Sequence, residues 1–371
     1  MTAYAEQIKF LVVMKKIFIT IIFLLVTGGS VYFAWPFIQN LLFSQPTNTQ
    51  PASTPITKTS DLIKSLTDKP VFDFWFRDDE IYFMTTDGQI FKITAGGAET
   101  NVNDQKIFNL ASVSASTDGS SVLVSFGMSN KIFSVFNLIT KTWQSLSAGT
   151  AAATWSPNQN QLAVLKNSGV DSSLEILNIA DQKTSPVLKF NGQDFDLNWV
   201  VPDAIYLTQK PAAGFAASIW SMSIKNKTLQ PLIFEESGLM VQWSFDGKIG
   251  LKFTNTTHEN ALTLINQNNQ LLEKLSLFKT LPSKCSFGGS VLWCGVPLDI
   301  PRNNLLPNDY LNNKIYFQDS IIAFDTASNT VKEIFDGQAP IVDVQKITKQ
   351  GDKLFFINRY DKKLYSLAMG K

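Results

Sequence analysis

The chain has 371 residues, 44% of them apolar and 17% charged, and its 32 basic and 31 acidic side chains leave a formal net charge of +1. That length can bury a large core, and a charge so near zero argues against a nucleic-acid or anionic-surface partner. The single histidine, His258, excludes His-rich metal sites and leaves little room for a Ser-His-Asp triad.

Residues 1–16 read as a short cytoplasmic segment, with Met14 a second possible start before Lys15 and Lys16. From Ile17 to Trp35 there is no charge, and the stretch to Phe43 stays mostly apolar. About 20 helical residues cross the ~30 Å hydrocarbon core of a bilayer, so residues 17–43 are expected to form a transmembrane signal-anchor helix. Lys15 and Lys16 flank its start and no charge recurs before Lys58, which places the N-terminus in the cytoplasm and the rest of the chain outside. A cleaved signal peptide is the competing reading, although Gly28-Gly29-Ser30 is only a loose cleavage site. Residues 44–60, with Pro46, Pro51 and Pro55 among Thr, Ser and Gln, read as a solvated, semi-extended linker.

Beyond the linker the chain repeats. Trp155-Ser156-Pro157-Asn158 leads into the apolar stretch Leu162-Ala163-Val164-Leu165. Trp243-Ser244-Phe245-Asp246-Gly247 and Ala115-Ser116-Thr117-Asp118-Gly119 do the same. Each is a strand, a turn of residues that accept left-handed or pre-bent backbone, and a second strand. Anchor positions at Trp75, Ala115, Trp155, Trp199, Trp243, Cys285 and Ile347 give steps of 40, 40, 44, 44, 42 and 62 residues. Third strands such as 174–178 and fourth strands such as 228–232 follow the hairpins. A unit of roughly 40–45 residues with four strands is a propeller blade. The expected fold class is all-β: a seven-bladed β-propeller over residues 61–371, preceded by one N-terminal transmembrane helix. The seventh unit ends before a fourth strand, so residues 61–67 are expected to complete it and close the ring.

Cys285 and Cys294 face each other across a hairpin turning at Gly289-Ser290, at a spacing that fits a disulfide. A reduced structural pair is the alternative. Residues 296–313 form an insertion between the second and third strands of blade six. It is expected to overhang the central mouth and to expose Asp299, Arg302, Asp309 and Tyr310 as candidate partner contacts; a prolyl-stiffened loop without function is the competing reading. Asp73, Asp196 and Asp343 precede anchor positions and are candidates to line the channel, where paired carboxylates could in principle serve glycoside hydrolysis. His258 reads as a solvated loop residue. Asp78-Asp79-Glu80 reads as a solvated turn without calcium-loop spacing. No catalytic motif is found, and no cofactor or metal is expected.

The Trp-Ser-Pro-Asn and Trp-Ser-Phe-Asp-Gly turns resemble the Trp-Ser-Pro-Asp-Gly repeat of TolB-like and WD-repeat-like propellers, over about residues 61–371. The Gly-His and Trp-Asp dipeptides of true WD repeats are missing. The resemblance implies a scaffold rather than a particular activity, and abundant Asn and Lys suggest an AT-rich bacterial genome. The function expected is a membrane-anchored, extracytoplasmic scaffold, a monomeric propeller that binds a protein or an envelope polymer. The alternatives are a glycan-active enzyme using channel carboxylates, or an envelope assembly factor. Thr86-Asp87-Gly88-Gln89-Ile90-Phe91 resembles a turn of outer-membrane lipoprotein propellers, but there is no lipobox cysteine.

Overall fold

The computed structural model describes residues 63–128, 130–255, 260–301 and 303–369. The transmembrane segment expected at 17–43, the linker at 44–60, His258 and Arg302 lie outside the described residues. Among the described residues no helix is long and apolar enough to cross a membrane.

The described residues form seven four-stranded antiparallel sheets, the blades of a propeller. Six blades use consecutive strands, at 71–103, 110–145, 150–191, 195–237, 240–274 and 285–335. The seventh combines three strands at 344–368 with Ile63–Ser65, whose register is Ile63↔Leu367, Lys64↔Ser366 and Ser65↔Tyr365. The N-terminal segment therefore closes the ring and covers the edge of Leu364–Ala368 at the positions it pairs.

Both faces of each blade are covered, so the strands read as nearly continuous apolar runs. Successive side chains go to opposite faces. Val122 and Val124 pack with Trp75 and Met84 of blade one, while Leu123 between them packs with Trp155 and Leu162 of blade three. The same alternation sends Phe83 toward blade seven and its neighbour Met84 toward blade two. Seven apolar clusters result, one in each seam between adjacent blades. Phe74, Phe83, Phe136, Phe324, Phe335 and Phe356 are among the largest fully buried side chains.

The repeated turn has a physical basis. The Ser244 hydroxyl donates to Asp246 at 2.8 Å and accepts the Ile249 amide at 3.1 Å. Ser116 does the same with Asp118 at 2.6 Å and the Ser121 amide at 3.0 Å. One hydroxyl thus fixes the turn and satisfies the first amide of the next strand. Gly247 is left-handed, at φ 69°, and a Cβ there would come within 2.4 Å of Val201 in the preceding blade. Glycine is needed both for the turn and for the approach of one blade to the next. The Trp155 indole N–H donates to the Ser114 carbonyl of blade two at 2.9 Å, a further tie across a seam.

Blade six departs from the expected pattern. Its first strand is only Cys285–Gly288, so the anchor assigned to Cys285 opens the strand instead of closing it. Cys285 pairs with Cys294 in register, and their sulfurs are bonded. Asp78 and Asp79 both adopt positive φ, forming a two-residue hairpin turn between Arg77 and Glu80. Glu80 is held by Lys92 at 2.9 Å and by the Tyr82 hydroxyl; these hydrogen bonds lower its pKa.

Candidate interaction face at the propeller mouth

In an antiparallel four-stranded blade, the connector between blades and the turn between second and third strands emerge at the same end. This end is the mouth. The blade-six insertion belongs to it, since it joins the strands Val291–Pro297 and Asp319–Asp325. It carries a helical turn, Asn308–Leu311, and reaches several blades. The Asn308 side chain accepts the Ala213 amide of blade four at 2.7 Å. The Asn255 amide of blade five donates to the Leu306 carbonyl at 2.8 Å, and Arg359 of blade seven donates to the Tyr310 carbonyl at 3.0 Å. The insertion is a strut across the mouth as well as a loop.

Beneath it lies a fully buried ionic cluster. Lys284 Nζ is 2.7 Å from Asp319 and 2.5 Å from Asp343, and all three side chains are inaccessible to solvent. Arg359 donates to the other Asp343 oxygen at 2.8 Å, and its guanidinium carbon lies 3.8 Å from the centre of the Tyr310 ring. Two cations and two carboxylates balance, which is the condition for burying charge at all. Burial by itself would lower the Lys284 pKa, but Asp319, Tyr310 and Asp343 overcome it and hold the pKa above its ordinary value. Burial pushes the Asp319 carboxyl up to about 6, against the pull of Lys284. One Asp319 oxygen, Oδ1, is buried without a hydrogen-bond partner.

Over this cluster the mouth holds a cavity of about 520 Å³. Val71, Phe72 and Thr86 of blade one and Asn109 and Leu110 at the start of blade two form one side. Gln345, Arg359 and Lys362 of blade seven, Ser283 and the insertion's Tyr310, Leu311 and Asn313 form the other. A second, smaller cavity of about 180 Å³ lies under the insertion between blades five and six, walled by Phe253, Leu262, Leu275, Ile300, Leu306 and Phe317. Its size suits one ring or one branched aliphatic group.

The mouth also gathers exposed apolar side chains. Thirteen of the eighteen exposed large apolar side chains among the described residues sit at this end. Met128, Val170 and Phe215 occupy the turns of blades two, three and four, with Met128 87% and Phe215 72% accessible. Phe108, Leu277 and Ile341 occupy connectors between blades, and Leu298, Leu305, Leu311 and Tyr316 the insertion. Tyr316 stacks on Tyr360 of blade seven with ring centres 5.5 Å apart. Ile139 and Phe245 are among the few at the opposite end. Solvated turns have no folding reason to carry such residues, and their concentration at one end makes that end the candidate contact surface.

The sequence candidates are distributed unevenly. Asp299 is exposed on the insertion. Asp309 is half-buried and serves the insertion itself, accepting the Leu305 amide at 2.9 Å. Tyr310, expected at the surface, is buried at 5% accessibility because the insertion folds inward over Lys284 and Arg359. Asp343 is sealed in the ionic cluster. Asp73 is ion-paired to Lys346 of blade seven, and burial raises its pKa against that pairing. Asp196 is exposed beside a different cavity, next to Asp194 and Lys210. The three aspartates thus occupy separate surroundings. Among the described residues no cluster of three or more His, Cys, Asp or Glu is placed to hold a metal. Lys284 and Arg359 were not singled out in the sequence; a lysine beside a cysteine carries no signal of burial.

No protein-family model matches the chain, and no curated protein sequence does. Solved structures do. The tricorn protease matches with a TM-score of 0.53 at 11% identity over 82% of this chain, which spans only 34% of that protein's length. An oligogalacturonate lyase in complex with manganese matches with a TM-score of 0.57 at 10% identity, over 83% of this chain and 93% of the lyase. The β-propeller domain of the Trilobed protease from Pyrococcus furiosus matches with a TM-score of 0.55 at 10% identity, over 81% of this chain and 95% of that domain. That propeller has an open velcro topology, whereas here Ile63–Ser65 closes the last blade. At such identities the likeness establishes the fold alone: an all-β, seven-bladed propeller.

Proposed function

We propose that the chain is a membrane-tethered, extracytoplasmic propeller that acts as a binding scaffold for another protein, which it engages through the mouth face. The observation that carries this reading is the concentration of exposed Phe, Met, Leu and Tyr at one end of the ring. Aromatic residues and Met are enriched in protein interfaces, and these lie at the same end of the ring as the mouth cavity. The apolar stretch at 17–43 with its flanking lysines supports the tether, and the bonded cysteine pair suits an oxidising compartment. The TolB-like turns support a bacterial envelope setting, in which an assembly partner is one form the bound protein would take. A glycan-active enzyme working through Asp73, Asp196 and Asp343 is the weaker reading, because Asp73 and Asp343 are committed to lysine and arginine partners.

The test is a crosslinking pull-down with the full chain. Phe108→Ser, Met128→Ser and Phe215→Ser together should abolish capture of a specific partner protein, while Ile139→Ser with Phe245→Ser should leave it intact. Equal capture by both sets of variants contradicts the reading.

A further inference from the structure

The mouth cavity has a one-sided chemistry. Among the described residues, the ionisable side chains that line it are Arg359, Lys362 and Tyr310, and no carboxylate does. Arg359 is fully committed: its terminal nitrogens donate to Asp343, to the Ile315 and Tyr310 carbonyls and to Asn313 Oδ1. It supplies positive potential but has few donors to spare. Lys362 differs. It is half-buried, and among the described residues its ammonium has no ion-pair partner. Burial and the neighbouring Arg359 both lower its pKa. Asp343 acts in the opposite sense, but that carboxylate is already paired with Lys284 and Arg359.

The neutral polar groups around Lys362 can all donate, although hydroxyls and amides also accept. Asn313 Oδ1 accepts from Arg359 at 2.8 Å, so the hydrogen-bonding atom left to that amide is its NH₂. Ser283 and Thr86 add hydroxyls, and Asn109 and Gln345 add amides. Asn109, Asn313 and Lys362 all adopt left-handed backbone, with φ of 57°, 56° and 59°. A carboxylate, with two oxygens and about four acceptor sites, matches one ammonium and several neutral donors.

Resting on the protein-scaffold reading above, we propose that the mouth cavity is the seat of a carboxylate presented by the protein partner, an Asp or Glu side chain that pairs with Lys362 and accepts from Asn313. The apolar rim makes contact around it, and the buried Lys284–Asp343–Arg359 cluster keeps the insertion in the position that forms the seat. The mixed signs of the surrounding charges, with Asp87, Lys106, Asp299 and Lys314 all on this end, favour a protein with one placed carboxylate over a broadly anionic surface.

The test is calorimetric titration of the full chain in detergent with hexaglutamate, hexaglutamine and a galacturonate oligomer as probes. Hexaglutamate should bind and hexaglutamine should not. Lys362→Gln should weaken hexaglutamate binding by about tenfold to a hundredfold, the loss expected for one charge-assisted hydrogen bond, and Lys362→Arg should restore most of it. Thermal melting of each variant confirms folding. Failure of hexaglutamate to bind, or equal binding by the parent and Lys362→Gln, overturns the proposal. Preference for the galacturonate oligomer overturns the assignment to a protein. Partner capture by Lys362→Gln equal to the parent, with capture still lost in the Phe108, Met128 and Phe215 variants, removes the carboxylate seat and leaves the mouth face standing.

Discussion

Asp319 is the residue at which the fold carries the most electrostatic tension. It is fully buried, it shares Lys284 with Asp343, and one of its oxygens has no partner. Its carboxyl is pushed up to about 6 from an ordinary value of 3.8. A raised carboxyl binds its proton more tightly in the folded state than in the unfolded one. Its contribution to stability is therefore most favourable below about pH 4 and declines as pH rises toward 6. Other carboxylates act in the opposite sense: hydrogen bonds to Ser244 and the Lys248 amide hold Asp246 low, so its contribution is lost as pH falls through the acid range. Comparing the parent with Asp319→Asn isolates the first effect. The stability of the parent relative to the variant should fall by roughly 2 kcal/mol between pH 4 and pH 7, read from denaturant unfolding at each pH. A difference that is constant across that range contradicts the assignment. None of this was legible from sequence: Lys284 and Asp319 are 35 positions apart and meet only because a hairpin and a strand of blade six bring them against Val344 of blade seven.

Two elements have outsized roles. The closing strand is one. Leu66 donates to the Leu364 carbonyl at 2.9 Å just past the paired stretch, and Ile63 and Leu367 share the seam between blades six and seven. Ile63→Pro removes an amide and an apolar contact and uncovers the edge of Leu364–Ala368. It should lower stability by about 2–4 kcal/mol and promote self-association, followed by denaturant midpoint and light scattering; an unchanged midpoint would show that the ring does not depend on this strand. The closure was readable in advance by counting strands, because the seventh repeat stops one short while an apolar stretch precedes the first. The insertion is the other element. Its place between the second and third strands was also readable. Its inward fold was not, since Tyr310 in a run of Asn, Asp and Leu looks solvated until Arg359 arrives from blade seven. Deleting residues 296–313 would strip Tyr310 from the ionic cluster and unroof Phe317. Loss of binding after such a deletion would report unfolding as much as contact, so exposed positions such as Leu305, Leu311 and Tyr316 are the better probes.

At the scale of the whole molecule, seven similar blades produce two unlike ends. The repeat constrains the seams, where alternating side chains of neighbouring blades interlock, and this made the fold visible in the spacing of Trp, Ser and Asp alone. The ends are free of that constraint. One carries the tight serine-stapled turns, and the other carries the inter-blade connectors, the insertion, the cavity and most of the exposed apolar surface. The sequence held a trace of this asymmetry in Met128, Val170 and Phe215, apolar residues set beside glycines in turns. Their meaning depended on knowing which turns share an end and which loops stay exposed. The most direct measurement is photo-crosslinking from a reactive residue placed at Phe215 and, separately, at Phe245 in the full chain in its native cells. A mouth-face interface gives a discrete protein adduct from position 215 and none from position 245. An adduct from 245 with none from 215 would place the binding face at the opposite end of the ring.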